Sequence, residues 1–200
     1  MPSGLLSACA LRACGVDFQF LDPAPNLGHD ADPIRIVTWG AAMFTGLSIV
    51  TLLAALGSGI MAGLFFAFST FVMQALGKHP APVGIAAMQS INQTILNPIF
   101  FAVFFGTALL SLALAVLALL GWSEAGAGWR LAGALLYLIG SIAVTILFNV
   151  PLNNRLAAAA PDSTEGAALW SRYLRIWTAW NHARTIGCIG ATGSFILGMP

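Results

Sequence analysis

Between Trp177 and Arg184 the chain reads Trp-Thr-Ala-Trp-Asn-His-Ala-Arg, followed by a charge-free stretch from Thr185 to Pro200. Two indoles, an amide, an imidazole and a guanidinium thus meet where an apolar segment begins. Polar groups at such a boundary are costly unless paired or wet, so a cluster of them is a functional candidate. His182 suits proton transfer near neutral pH, or is simply a solvated interfacial histidine. Arg184 either pairs inside a helix bundle or runs its head out to water. Trp177 and Trp180 are site residues or members of an interfacial aromatic belt.

Helical spacing orders these residues. Trp170, Tyr173, Trp177, Asn181, Arg184 and Cys188 recur at three and four, so they form one stripe expected to face inward. His182 sits about 100° from Asn181, on the flank shared with Thr178 and Arg175. Asn149 and Asn153 are also i, i+4 neighbours and end another apolar run, where Asn149 is a site residue or an interhelical hydrogen-bonder. Asn92, Gln93 and Asn97 precede a third run. Asn97-Pro98 either starts a new helix, with Asn97 as its N-cap, or kinks a continuous one. His79, between Lys78 and Pro80, reads as a loop residue.

The elements that must position them follow from composition. The 200 residues are 58% hydrophobic and 8% charged, against about 25% charged in ordinary domains. No charge occurs in Ile36–Gly77, Pro80–Ser123, Leu131–Asn154 or Thr185–Pro200. Each stretch can supply the roughly 20 apolar residues of a membrane-spanning helix, and none alternates as barrel strands do. The expectation is an all-α integral membrane four-helix bundle, up-down-up-down, with spans at about 44–76, 98–120, 129–150 and 176–198. Residues 1–42 read as a disordered tail without a signal peptide, and Met43 is an alternative start. Gly59-x3-Gly63 offers the first span a close-packing stripe. Asp162-Ser-Thr-Glu165 resembles a capping box with Asp162 as the cap. A Cys9–Cys14 disulfide is possible but unsupported, and Cys188 is a small packing residue.

Four alternating spans bring the end of the first, the start of the second, the end of the third and the start of the fourth to one membrane face. Every polar oddity lies at those ends. Together Gly63-Leu-Phe-Phe-Ala-Phe-Ser-Thr-Phe-Val-Met73, Met88-Gln-Ser-Ile-Asn92-x4-Asn97-Pro98, Asn149-Val-Pro-Leu-Asn-Asn154 and Trp177-x2-Trp-Asn-His-x-Arg184 resemble the DUF1772, or anthrone oxygenase-like, membrane family. The resemblance covers about Thr45 to Gly198. Most members are uncharacterised bacterial membrane proteins; a minority are fungal enzymes that oxidise anthrones to anthraquinones with dioxygen and no known cofactor. It implies His182 as the general base, and Arg184 helped by Asn181 or Asn149 as oxyanion stabiliser. Tyr173, Trp177 and Trp180 would stack on a flat substrate, with Asn92, Asn97, Asn149 and Asn153 completing the binding site.

The competing expectation is a non-enzymatic bundle that binds a lipid or quinone-like ligand or a membrane partner. A transporter is disfavoured, since no inverted repeat or interrupted helix pair occurs. No His, Cys or carboxylate has ligand spacing, so no metal is expected, and the resemblance implies no other cofactor. Net charge near zero excludes nucleic acid. The expected partners are the lipid bilayer and a small lipophilic ligand, with self-association to a homo-oligomer left open. Lys78, Arg155, Arg172 and Arg175 flank the motif-bearing ends, against Arg35 and Arg130 opposite, so a cell-membrane protein with its motif loops in the cytoplasm is expected.

Overall fold

The computed structural model describes residues 33–200, with side chains described from residue 45 onward. The chain divides into two compact units, Met1–Ala41 and Ala42–Pro200; the helices below belong to the second, except for the first turns of α1. Of the expected tail, residues 33–42 are helical, opened by Pro33, whose fixed φ suits a first turn. The remainder of that tail, with the Cys9–Cys14 pair, lies outside the described residues.

All regular elements among the described residues are helical. Helix α1 runs as Pro33–Ala67, widens into a π-helical turn at Phe68–Val72 and ends as Met73–Gly77. Helix α2 is Ala81–Thr94 and α3 is Pro98–Leu120. Helix α4 begins as Ala127–Tyr137, widens twice, at Leu138–Ala143 and Thr145–Asn149, and ends as Val150–Ala157. Helix α5 is Thr164–Leu197. The Asn97-Pro98 step starts a new helix: Asn97 is extended, and its Oδ1 accepts from Phe100 N at 3.0 Å with Pro98 in the first turn. The cap of α5 is Ser163, whose Oγ accepts from Gly166 N at 2.9 Å. The cap expected on Asp162 therefore falls one residue later, and the reciprocal box does not form, because the residue three on is Gly166, which has no side chain to reach back.

Thr45–Gly77, Pro98–Leu120 and Ala127–Ala157 are each long and apolar enough to cross a membrane. Their outward faces carry Ile60, Leu109, Leu120 and Leu147, all exposed. Apolar surface of that extent belongs in lipid, so this is a membrane protein. Helix α5 was expected to supply a fourth span, but it is not in that class. Its Trp180–Arg184 run and its Gly, Ser and Thr residues lower its apolarity. Those small residues serve contact instead: Gly187, Cys188, Ala191 and Ser194 are buried.

Helix α3 packs on α4, α4 on α5, and the end of α1 together with α2 on α5. The close approaches are glycine-dependent. A Cβ on Gly187 would lie 2.9 Å from Gly140 Cα on α4, and the reverse holds too. The expected Gly59-x3-Gly63 stripe is only half used. Gly59 faces Thr192 at 3.8 Å, whereas nothing lies within 4 Å of a Cβ on Gly63. The tight contact on α1 is Gly57, pressed against Thr107 of α3. At the turn before α4, Gly126 has φ +78°, and a side chain there would strike Gly198 O.

Two apolar clusters result. One, around Met61, Phe65, Phe104, Leu114, Tyr137 and Phe195, fills the helix bodies. The other gathers Met73, Ile85, Met88, Leu156, Trp170 and Tyr173 under α2.

Candidate functional site

The inward stripe of α5 is real: Trp170, Tyr173, Trp177, Asn181, Arg184 and Cys188 are all buried. Trp170, Tyr173 and Trp177 stack as a ladder, with centroids 5.7 and 5.8 Å apart and planes within 20°. Phe68, in the π turn of α1, meets Trp177 edge-on at 5.8 Å. Above the ladder lies Arg184, 6% exposed. Its guanidinium carbon sits 4.1 Å from the Phe65 ring centroid and 5.1 Å from that of Trp177, so two aromatic faces receive the cation.

Neutral oxygens do the rest. Arg184 Nη2 donates to Asn181 Oδ1 at 2.6 Å and Nη1 to Thr145 Oγ1 at 3.3 Å. Its Nε is buried without a partner. Guanidinium has five N–H donors, and these bonds use two of them. Among the described residues the ion pair is Arg130–Glu124, away from this cluster. Arg184 therefore carries buried positive charge that no carboxylate of the described residues neutralises.

Asn181 holds Arg184 in place. Its Nδ2 donates to Phe65 O and to Ser69 Oγ, both at 2.7 Å. Ser69 is also 3.0 Å from Thr185 Oγ1, which in turn donates to Asn181 O at 2.9 Å. Ser69 lies within the π-helical turn Phe68–Val72 and Thr145 and Asn149 within Thr145–Asn149, while Phe65 stands in the α-helical turn that leads into the first of these. Such turns rotate side chains off the ordinary helical register and recur at functional sites.

The asparagines divide. Asn149 is buried; its Nδ2 donates to Trp177 O at 3.2 Å, while its Oδ1 has no partner. Asn153 Oδ1 accepts from both Tyr173 OH at 2.8 Å and Trp177 Nε1 at 2.7 Å. Asn92 Nδ2 reaches Tyr173 OH only at 3.5 Å, the outer limit of a hydrogen bond. Burial raises the Tyr173 hydroxyl above its ordinary value, outweighing the opposite pulls of Asn92 and Arg184. The phenol therefore stays a neutral donor. Asn97 does not join the cluster; it caps α3 and donates to Thr94 O at 3.1 Å. His182 does not join it either. One residue on from Asn181, it is exposed on the outer flank of α5. Trp180 is half-buried and stacks on Phe148.

Ser69, Thr145, Thr185 and Phe65 were not singled out by the sequence reading. Thr145 lies four residues before Asn149 and Ser69 lies within the quoted Gly63–Met73 motif, so both had a positional signal. The Phe65 carbonyl had none. No His, Cys, Asp and Glu among the described residues gather as a metal ion would need. The arrangement packs the Trp–Tyr–Trp ladder beneath Arg184 and leaves the guanidinium with N–H donors for an oxygen anion.

No curated protein and no solved structure matches the chain. Residues 100–194 match the family model described as Anthrone oxygenase. That segment contains Thr145, Asn149, Asn153, the aromatic ladder, Asn181 and Arg184, but not Ser69 or Asn92. Over that segment, just under half of the chain, it matches the anthrone oxygenase-like family.

Proposed function

We propose that this protein is an oxygenase that oxidises a lipophilic, anthrone- or phenol-like aromatic with dioxygen, without a cofactor, at the membrane interface. The observation that carries the reading is Arg184, a buried cation between aromatic faces with no carboxylate partner. Transfer of one anthrone proton to water at the interface gives an electron-rich anion whose charge rests on oxygen. A guanidinium in a site of low polarity stabilises that anion far more than water does. In the overall reaction one anthrone and one dioxygen give one anthraquinone and one water. The oxidised carbon loses two hydrogens and gains one oxygen. Asn181 positions Arg184, Tyr173 and Trp177 carry the ring, and Asn149 Oδ1 accepts from a substrate hydroxyl. The reading assigns no substrate contact to His182. Its scaffold is an up-down-up-down bundle in which α5 forms the fourth span and the Asn/Trp/Arg end faces the cytoplasm.

The test is oxygen uptake by purified protein supplied with an anthrone, with anthraquinone identified as the product. Arg184→Gln should lower uptake about 100-fold, and His182→Ala should retain most of it. Absent uptake, or full uptake in Arg184→Gln, sinks the reading. One observation favours a second: with His182 outside, no ordinary general base lies in the cluster. The same ladder would then be the groove of a non-enzymatic ligand-binding bundle. In that case an anthrone is retained by the protein and recovered unchanged, and Trp177→Ala releases it.

A further inference from the structure

Phe148 and Trp180 stand immediately before Asn149 and Asn181 on α4 and α5. Their rings lie face to face, with centroids 3.6 Å apart and planes 7° from parallel. The other aromatic pairs have centroids between 5.2 and 5.9 Å. A full-face sandwich is the geometry that aromatic rings favour least, because the negative faces oppose one another. The pair also lies at the surface. Phe148 is 37% exposed, its neighbour Leu147 63%, and Ile186, further along α5, 70%. Leu147 belongs to the outward face of α4 already assigned to lipid, and Ile186 extends that apolar surface onto α5.

Behind the pair is the seam between α4 and α5. Thr145, three residues before Phe148, holds Arg184, four residues after Trp180. Two buried atoms on that seam, Asn149 Oδ1 and Arg184 Nε, lack partners, one an acceptor and one a donor. We propose that the Phe148–Trp180 stack is the bilayer-side gate of this seam. Its occupant is a flat, neutral polycyclic aromatic dissolved in the membrane, which inserts between the two rings and so reaches Asn149 and Arg184. The inference rests on the reading of the Arg184 cluster as an aromatic-ligand site. It does not require the ligand to be oxidised. Parting the rings gives up only a sandwich, the weakest stacking geometry, whereas a flat guest makes two favourable offset stacks, one on each face. A saturated guest of equal width makes none.

The test uses full-length protein in nanodiscs of zwitterionic lipid, titrated with 9,10-anthraquinone while indole fluorescence is read. Perhydroanthracene is the saturated competitor. The protein has six tryptophans, so the Trp180 share is obtained by difference from Trp180→Phe, which keeps a ring in the stack. Saturable quenching is expected, with the Trp180 share missing from Trp180→Phe. Phe148→Leu should raise the half-saturating concentration about fivefold, the worth of one lost stack. Phe148→Tyr should leave it unchanged. If Phe148→Leu melts early, Phe148→Met carries the same expectation. An unchanged half-saturation in the ringless variant, or equal competition by perhydroanthracene, overturns the gate. Oxygen uptake measured on the same samples separates the two ideas. Gated quenching without uptake removes the oxygenase and leaves the gate. Uptake with ungated quenching does the reverse.

Discussion

Arg184 decides most at the scale of single residues. A charged side chain inside an apolar bundle is expensive, and its cost falls only with good partners. Here the partners are two ring faces, an amide oxygen and a hydroxyl, which leaves positive potential for a ligand. Asn153 is the matching structural residue, since one oxygen satisfies both Tyr173 and Trp177. Asn153→Ala strands two buried donors and should cost about 2 kcal/mol or more, read as a lowered Tm in detergent. An unchanged Tm would show that water replaces the amide. Tyr173 adds a pH prediction. Its folded-state pKa is raised above the ordinary 10.0 by burial, so the unfolded chain releases that proton first as pH rises. Its contribution is present below pH 10 and is lost above it. Alkaline thermal scans should therefore fall less steeply for Tyr173→Phe than for the parent, and parallel curves would refute the assignment.

At the scale of elements, the three π-helical turns and one glycine pair do the positioning. The turns at Phe68–Val72 and Thr145–Asn149 bring Ser69, Thr145 and Asn149 to α5. The Gly140–Gly187 crossing brings α4 and α5 backbones together. Gly187→Val places two methyl groups where Gly140 Cα already stands, an overpacking that costs about 1–3 kcal/mol or more. It should also part the seam, so Tm and anthraquinone quenching should both fall. Loss of Tm alone would separate the crossing from the gate. The starts of α3 and α5 were legible to within a residue, whereas α1 and α4 begin at Pro33 and Ala127, ahead of the expected 44 and 129. Of the two readings of Asn97-Pro98, cap and kink, the cap is the one observed, because capping depends only on a few adjacent residues. The cap of α5 moved from Asp162 to Ser163, because Asp, Ser and Thr in a row satisfy the same rule in different registers.

At the scale of the whole molecule, the open question is whether α5 crosses the membrane. Single cysteines at Ser123, Ala158 and Pro200, in a background without native cysteines, answer it with an impermeant maleimide. Ala158→Cys should react from the cytoplasmic side, and Ser123→Cys and Pro200→Cys from the opposite side. Reaction of Ala158→Cys and Pro200→Cys from one side would refute the fourth span. One of the basic residues used to orient the chain has a different role. Arg130 is buried, bonded to Glu124 and to the carbonyls of Ala125 and Gly198, and ties the start of α4 to the end of α5. With it spent on structure, the exposed basic residues among the described side chains, Lys78, Arg155, Arg172 and Arg175, all flank the motif-bearing helix ends.

The sequence alone determined the helical class, the apolar segments and the inward stripe from Trp170 to Cys188, because hydrophobic runs and 3.6-residue spacing are local properties. The same spacing already set His182 on the flank away from Asn181; its imidazole chemistry and the family resemblance drew it into the site. Tertiary structure decided the partners: the Phe65 carbonyl for Asn181, Thr145 for Arg184, and Phe148 for Trp180. Those contacts depend on how far each helix slides and turns against its neighbour. A widened turn or a missing Cβ sets that register, and neither shows in the spacing of residues along one helix.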